Sequence, residues 1–183
     1  PAPAYTRLAN PIVPERSVMR RSILASVLET AARNAAHTDR IALFELGPVY
    51  VPGDGPLPSE PVQLAVVLAG PRTEPDWQGA DRAPMDFFDL KGILVEWIAG
   101  LHLPPAEFAS ASDPRFHPGR CAKLTVNGAE VGILGQLHPQ TAARYEWAGR
   151  DLLAAEIDFE ALRPQLLRRY AVAPISDYPP VLE

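Results

Sequence analysis

The chain has 183 residues, 47% apolar and 21% charged, enough for one core; this excludes disorder, and no apolar run approaches the ~20 residues that span a bilayer. Seventeen basic residues stand against 22 acidic ones, a formal charge of −5, so the chain repels a polyanion and is no general nucleic-acid platform. Cys121 is the only cysteine, which excludes an intrachain disulfide and suits a reducing, cytoplasmic setting with no membrane partner.

Twenty-one prolines, about twice the average usage, must sit mainly in loops, because proline removes a backbone donor and breaks helix interiors. Residues 1–40 carry six arginines against Glu15, Glu29 and Asp39, a pattern expected of a solvated helix face. Residues 22–34 predict a helix, with Ile23, Leu24, Val27, Leu28 and Ala31 on one side at steps of three and four. Residues 41–51 are apolar on both faces apart from Glu45, as expected of a central covered strand, with Pro48 marking a bulge or an edge. A Pro- and Gly-rich turn at 52–56 then leads into an antiparallel return strand at 62–68.

Residues 70–84 predict a long polar loop, and Asp86 starts a helix striped by Phe87, Leu90, Leu94, Trp97, Ile98 and Leu101. Asn127-Gly128 between 121–126 and 130–137 is a strong hairpin signal. Residues 140–147 predict a helix, 152–158 a strand, 159–167 a helix and 170–175 a final strand. Hairpins with helices in the connections argue an α+β fold with a largely antiparallel sheet.

Several short strings carry more than local structure. They are Asn10-Pro11 with Met19-Arg20-Arg21-Ser22, Phe44-Glu45-Leu46-Gly47, Asp89-Leu90-Lys91-Gly92, His117-Pro118-Gly119-Arg120, and Gly135-Gln136-Leu137-His138-Pro139. In this order and spacing the chain resembles the core of the beta subunit of bacterial phenylalanyl-tRNA synthetase, over nearly its whole length. The resemblance implies a class II aminoacyl-tRNA synthetase-like antiparallel sheet flanked by helices, without catalytic residues. It implies a core domain over 1–176, with 177–183 opening a linker to an anticodon-binding-like domain, so the chain reads as a fragment of a longer subunit.

The same resemblance implies a structural partner of the catalytic alpha subunit, two alpha with two beta chains, in ATP- and magnesium-dependent attachment of phenylalanine to its tRNA. Active relatives bind phosphate through arginines, whose guanidinium pairs bidentately with it. In the alpha subunit the strand corresponding to 44–51 resembles Gly-Arg-Val-Tyr-Arg-Arg-Asp; here Gly47-Pro48-Val49-Tyr50-Val51-Pro52-Gly53 has no arginine. Glu156, Asp158 and Glu160 stand where phosphate would have to sit, and like charges there cost free energy. Arg163 is expected to face solvent.

No residue is therefore expected to be catalytic or to hold a cofactor or metal within this stretch. Ser22 is placed to cap the helix it precedes. By analogy with class II interfaces, Arg20, Leu24, Val27 and Leu28 are expected near the alpha-subunit contact. His117, with Cys121 four residues on, and His138 fit no strong zinc spacing. Pro118-Gly119 fits the centre of a type II turn, and Pro139 a first helical position. Two other readings remain open: an adenylate-forming ligase with a rearranged ATP site, and a regulatory paralogue that senses a metabolite in the old pocket.

Overall fold

Apolar faces on the helices and alternation on the strands build two packed layers around one sheet. The computed structural model describes residues 5–55, 57–74, 77, 79, 81–145, 147, 150–167 and 169. Among them the elements run α1 (Leu24–Asn34), β1 (Ile41–Pro48), β2 (Val62–Ala69), α2 (Phe87–Gly100), β3 (Ala106–Ser110), β4 (Phe116–Val126), β5 (Ala129–Leu137), α3 (Pro139–Ala143), β6 (Leu153–Asp158) and α4 (Phe159–Leu162). The strands form one six-stranded sheet in the order β1-β2-β6-β5-β4-β3, with every neighbouring pair antiparallel. The α+β expectation holds.

Strand alternation sends successive side chains to opposite faces. Ala65, Val67 and Ala154 meet Leu24, Val27, Leu28 and Ala31 of α1 on one face, while Leu64, Val66, Ala155 and Ile157 meet Leu90, Leu94 and Ile98 of α2 on the other. The stripe predicted for α2 divides accordingly: Leu90, Leu94 and Ile98 are buried, and Phe87, Trp97 and Leu101 pack at the margin. Asp86 caps α2 by accepting from the N–H groups of Phe88 (2.8 Å) and Asp89 (3.2 Å), and Asp89 accepts from the Asp86 N–H (2.7 Å). The Asn127-Gly128 turn joins β4 to β5 with φ of 49° and 76°, the positive pair that a type I′ hairpin needs.

Several boundaries differ from expectation. β1 is an edge strand, not a central one, and its alternation of covered and open positions leaves Phe44 and Leu46 exposed. Pro48 is tolerated because an edge strand need not donate on its outer side. α1 begins at Leu24, with the Ser22 hydroxyl accepting from the Leu24 N–H (3.1 Å). The 140–147 helix shortens to Pro139–Ala143, and the 159–167 helix to α4 followed by a 3₁₀ turn at Arg163–Gln165, where Pro164 lacks an N–H. β3 was not anticipated, and β4 begins at Phe116 rather than 121, with a register shift between Phe116 and Cys121. The strand expected at 170–175 lies outside the described residues.

A polar face filled by ion pairs

β1 and β6 flank β2, with Glu45 and Glu156 both in register with Ala65, so Glu45 and Glu156 stand in one row on the α1 face. What fills that face is a set of arginine–carboxylate pairs. Arg20 lies over Gly47, where an added Cβ would sit 2.9 Å from the guanidinium. Arg20 donates through Nη1 to Glu45 Oε1 (2.5 Å) and through Nε to the Pro48 carbonyl (3.0 Å). Gly47 is thus the space that this guanidinium occupies.

One strand-pair further, Glu156 takes the Ser22 hydroxyl on Oε1 and Arg115 Nη1 on Oε2 (2.5 Å). Arg115 also grips Asp113 bidentately, Nε to Oδ1 at 3.0 Å and Nη2 to Oδ2 at 2.9 Å. The hydrogen bonds that Arg115 donates to Asp113 raise the Arg115 pKa above its ordinary value against the opposing effect of burial. The same bond holds the Asp113 carboxyl below the usual aspartate range. A cavity of about 280 Å³ beside these groups is lined by Gln63, Glu130 and Asp158 as well, and the Gln63 Oε1 is buried without a hydrogen-bond partner.

Chemically the two arginines of this face are compensated by its own carboxylates. Both guanidinium groups are spent on carboxylates, and Glu156, Asp158 and Glu130 present negative charge to the cavity. The donor set does not fit a triphosphate, which needs uncommitted guanidinium or ammonium groups. Among the described residues no group of three His, Cys, Asp or Glu side chains is placed to hold a metal ion. No described helix is long and apolar enough to cross a membrane.

The remaining motif residues scatter. Leu24, Val27 and Leu28 are buried in the chain's own core, packed against β2 and β6. Arg20 is half-buried and committed to Glu45. Asn10 and Pro11 lie in the excursion closed by the Arg7–Val18 bridge. Lys91 sits over the Phe108 ring (4.9 Å), and Gly92 is exposed on α2.

His117 and His138 line a second cavity, but each has local work. His117 Nδ1 donates to the Pro118 carbonyl (2.7 Å), and His138 caps α3 by accepting from the Gln140 N–H (3.1 Å). Gly119 has φ of 77°, suiting the third position of a type II turn after Pro118. Pro139 is the first residue of α3. Gly135 is required by close approach, since a Cβ there would lie 2.4 Å from the Arg120 carbonyl. Arg163 is 57% exposed in its side chain and pairs with Glu160 (3.1 Å). Sequence reasoning missed Asp113 and Arg115; their only local signal is the turn in which Asp113 Oδ1 accepts from the Arg115 N–H (2.8 Å).

Residues 1–159 match the family described as the phenylalanyl tRNA synthetase beta chain CLM domain. A phenylalanine–tRNA ligase beta subunit of Symbiobacterium thermophilum is 38% identical over 176 residues, 95% of this chain and 20% of that protein. The corresponding subunits of Burkholderia lata and Geobacter metallireducens are 35% and 33% identical over 96% and 98% of this chain, each covered over 22% of its own length. The chain thus spans about a fifth of the length of the relatives it matches. On the extent of that match, it belongs to the phenylalanyl tRNA synthetase beta chain CLM domain family.

Proposed function

We propose that this domain is the non-catalytic core of a phenylalanine–tRNA ligase beta subunit, built on a class II synthetase-like sheet. It acts as a structural partner of the catalytic alpha subunit, two alpha with two beta chains, in the cytoplasm. The assembled enzyme joins phenylalanine to its tRNA using ATP and magnesium, and the chemistry belongs to the alpha chain. On this reading residues 1–176 form the core domain and 177–183 lead toward an anticodon-binding-like domain.

The observation that carries the reading is Glu156, held by Arg115 and Ser22 in the middle of the α1 face. A carboxylate fixed there repels a triphosphate, and the arginine beside it is already spent. The unpaired-phosphate chemistry of an adenylate-forming ligase therefore has no foothold on this face. The test is phenylalanine-dependent ATP–pyrophosphate exchange by the isolated domain, by alpha alone and by the assembled enzyme. Exchange only in the assembly supports a scaffold; exchange by this domain alone sinks it.

A further inference from the structure

The end of α1 and the segment that joins α3 to β6 meet across a half-open cavity of about 350 Å³. Ala32, Arg33, Ala35 and Ala36 line it from the α1 side, and Tyr145, Trp147 and Arg150 from the other. It shares no residue with the ion-paired face or with the motif strings. The alanines keep their wall short, which leaves room between two arginines carried on different segments.

Every polar side chain on these walls can donate a hydrogen bond, and no carboxylate is among the described residues that line them. Arg33 spends one N–H, from Nη2 to Thr30 Oγ1 (3.1 Å), and forms no ion pair among the described residues. Arg150 lies over the Trp147 ring at 5.3 Å, and its Nη1 reaches Asp39 only at 3.4 Å from the carbonyl and 3.5 Å from Oδ1. The Asp39 side chain is 80% exposed, so water screens that contact.

Trp147 is 5% exposed, yet its Nε1–H meets no acceptor among the described residues. A buried donor left without a partner costs free energy, which an acceptor brought from outside recovers. Burial pushes the Tyr145 phenol above its usual range, with the Glu29 charge acting in the same sense and Arg144 against it. Tyr145 therefore keeps its proton at neutral pH and offers a neutral O–H donor.

Such a donor set calls for an oxyanion. A carboxylate holds two oxygens in one plane, whereas a phosphoryl group spreads its oxygens tetrahedrally and meets guanidinium groups arriving from opposite walls. The formal charge of −5 opposes a polyanionic strand, while a small anion meets the local surroundings, where Arg33, Arg144 and Arg150 outnumber Glu29 and Asp39 among the described residues. The cavity also has room for the body of a small organic molecule, against the alanines and the Trp147 ring.

We propose that this cavity binds the phosphoryl group of a small phosphorylated molecule between Arg33 and Arg150, with the Tyr145 hydroxyl and the Trp147 N–H as neutral donors. The site does not depend on the scaffold reading above. Full-length beta subunit assembled with alpha is titrated calorimetrically with inorganic phosphate, as the parent and as Arg33→Ala, Arg150→Ala and Arg163→Ala. The last removes the same charge from an arginine outside the cavity. All three side chains are at the surface, and a thermal melt unchanged from the parent verifies folding.

Arg33→Ala and Arg150→Ala are each expected to weaken phosphate binding roughly tenfold or more, as for loss of a hydrogen bond to a charged group, and Arg163→Ala to leave it unchanged. Crystals of the assembly soaked in tungstate are expected to show an anomalous peak between Arg33 and Arg150. Equal phosphate affinity in all four proteins overturns the site, and so does an empty tungstate map at these two arginines. Acetate bound as tightly as phosphate overturns the phosphoryl assignment. A single-stranded RNA whose binding is weakened by Arg33→Ala, with no saturable binding of inorganic phosphate to the parent, overturns the small-molecule assignment.

Discussion

Arg115 is the residue on which the α1 face turns. Its side chain joins Asp113 to Glu156, whose own side chain is only 11% exposed. Arg115→Ala leaves that carboxylate without its cation, and breaking a buried pair costs more than the pair contributes. Because Arg115 is itself partly exposed, the expected loss is about 1–3 kcal/mol, below the fully buried range, read from urea unfolding. Ser22→Ala removes both a hydroxyl on Glu156 and the acceptor for the Leu24 N–H, for about 1 kcal/mol.

The pH dependence follows from Asp113, whose carboxyl is depressed chiefly by its hydrogen bond to Arg115. A group held below its unfolded value of 3.8 contributes stability that is present above that value and lost as pH falls through the folded one. Asp113→Asn is therefore expected to cost stability at pH 7 and progressively less below pH 3.8, in paired unfolding curves. Cys121 titrates upward because it is buried, so its thiol is expected to label slowly in the folded protein and fast in urea. The link from the Asp113–Arg115 turn to Glu156 was not legible beforehand, because Arg115 and Glu156 are 41 residues apart and meet only once the sheet is assembled; a residue-by-residue reading sees ordinary charges.

At the scale of elements, strong local signals translated well. α1 and α2 carry apolar stripes at helical spacing, and Asn127-Gly128 can adopt the positive φ pair that few other dipeptides allow. Leu28→Ala is expected to cost about 2–5 kcal/mol, since Leu28 is buried between α1 and the sheet. Asp86→Ala should cost roughly 0.5–2 kcal/mol through loss of the capping box; thermal unfolding reads both. Elements lacking a local signal were missed or misplaced. β3 has a short, mostly exposed sequence and exists because β4 offers it a partner. β1 was read as covered on both faces because its composition is apolar, yet its place at the edge leaves half of that surface open. Composition reports what a strand could bury; position in the sheet decides what it does bury.

For the whole molecule, the absence of arginine from 47–53 and the acids at 156, 158 and 160 are properties of the chain itself, as are the α+β class and the motif strings that mark the family. Those follow from residue identity and short-range periodicity, which no tertiary contact can alter. The tertiary structure alone decided that β6 lies beside β2, so that Glu156 meets Arg115 and Ser22 across the sheet, that Leu24, Val27 and Leu28 turn inward, and that Arg33, Trp147 and Arg150 line one cavity. Strand order and helix docking minimise exposed apolar area over the entire chain at once, and that is a sum over distant pairs which no local window contains.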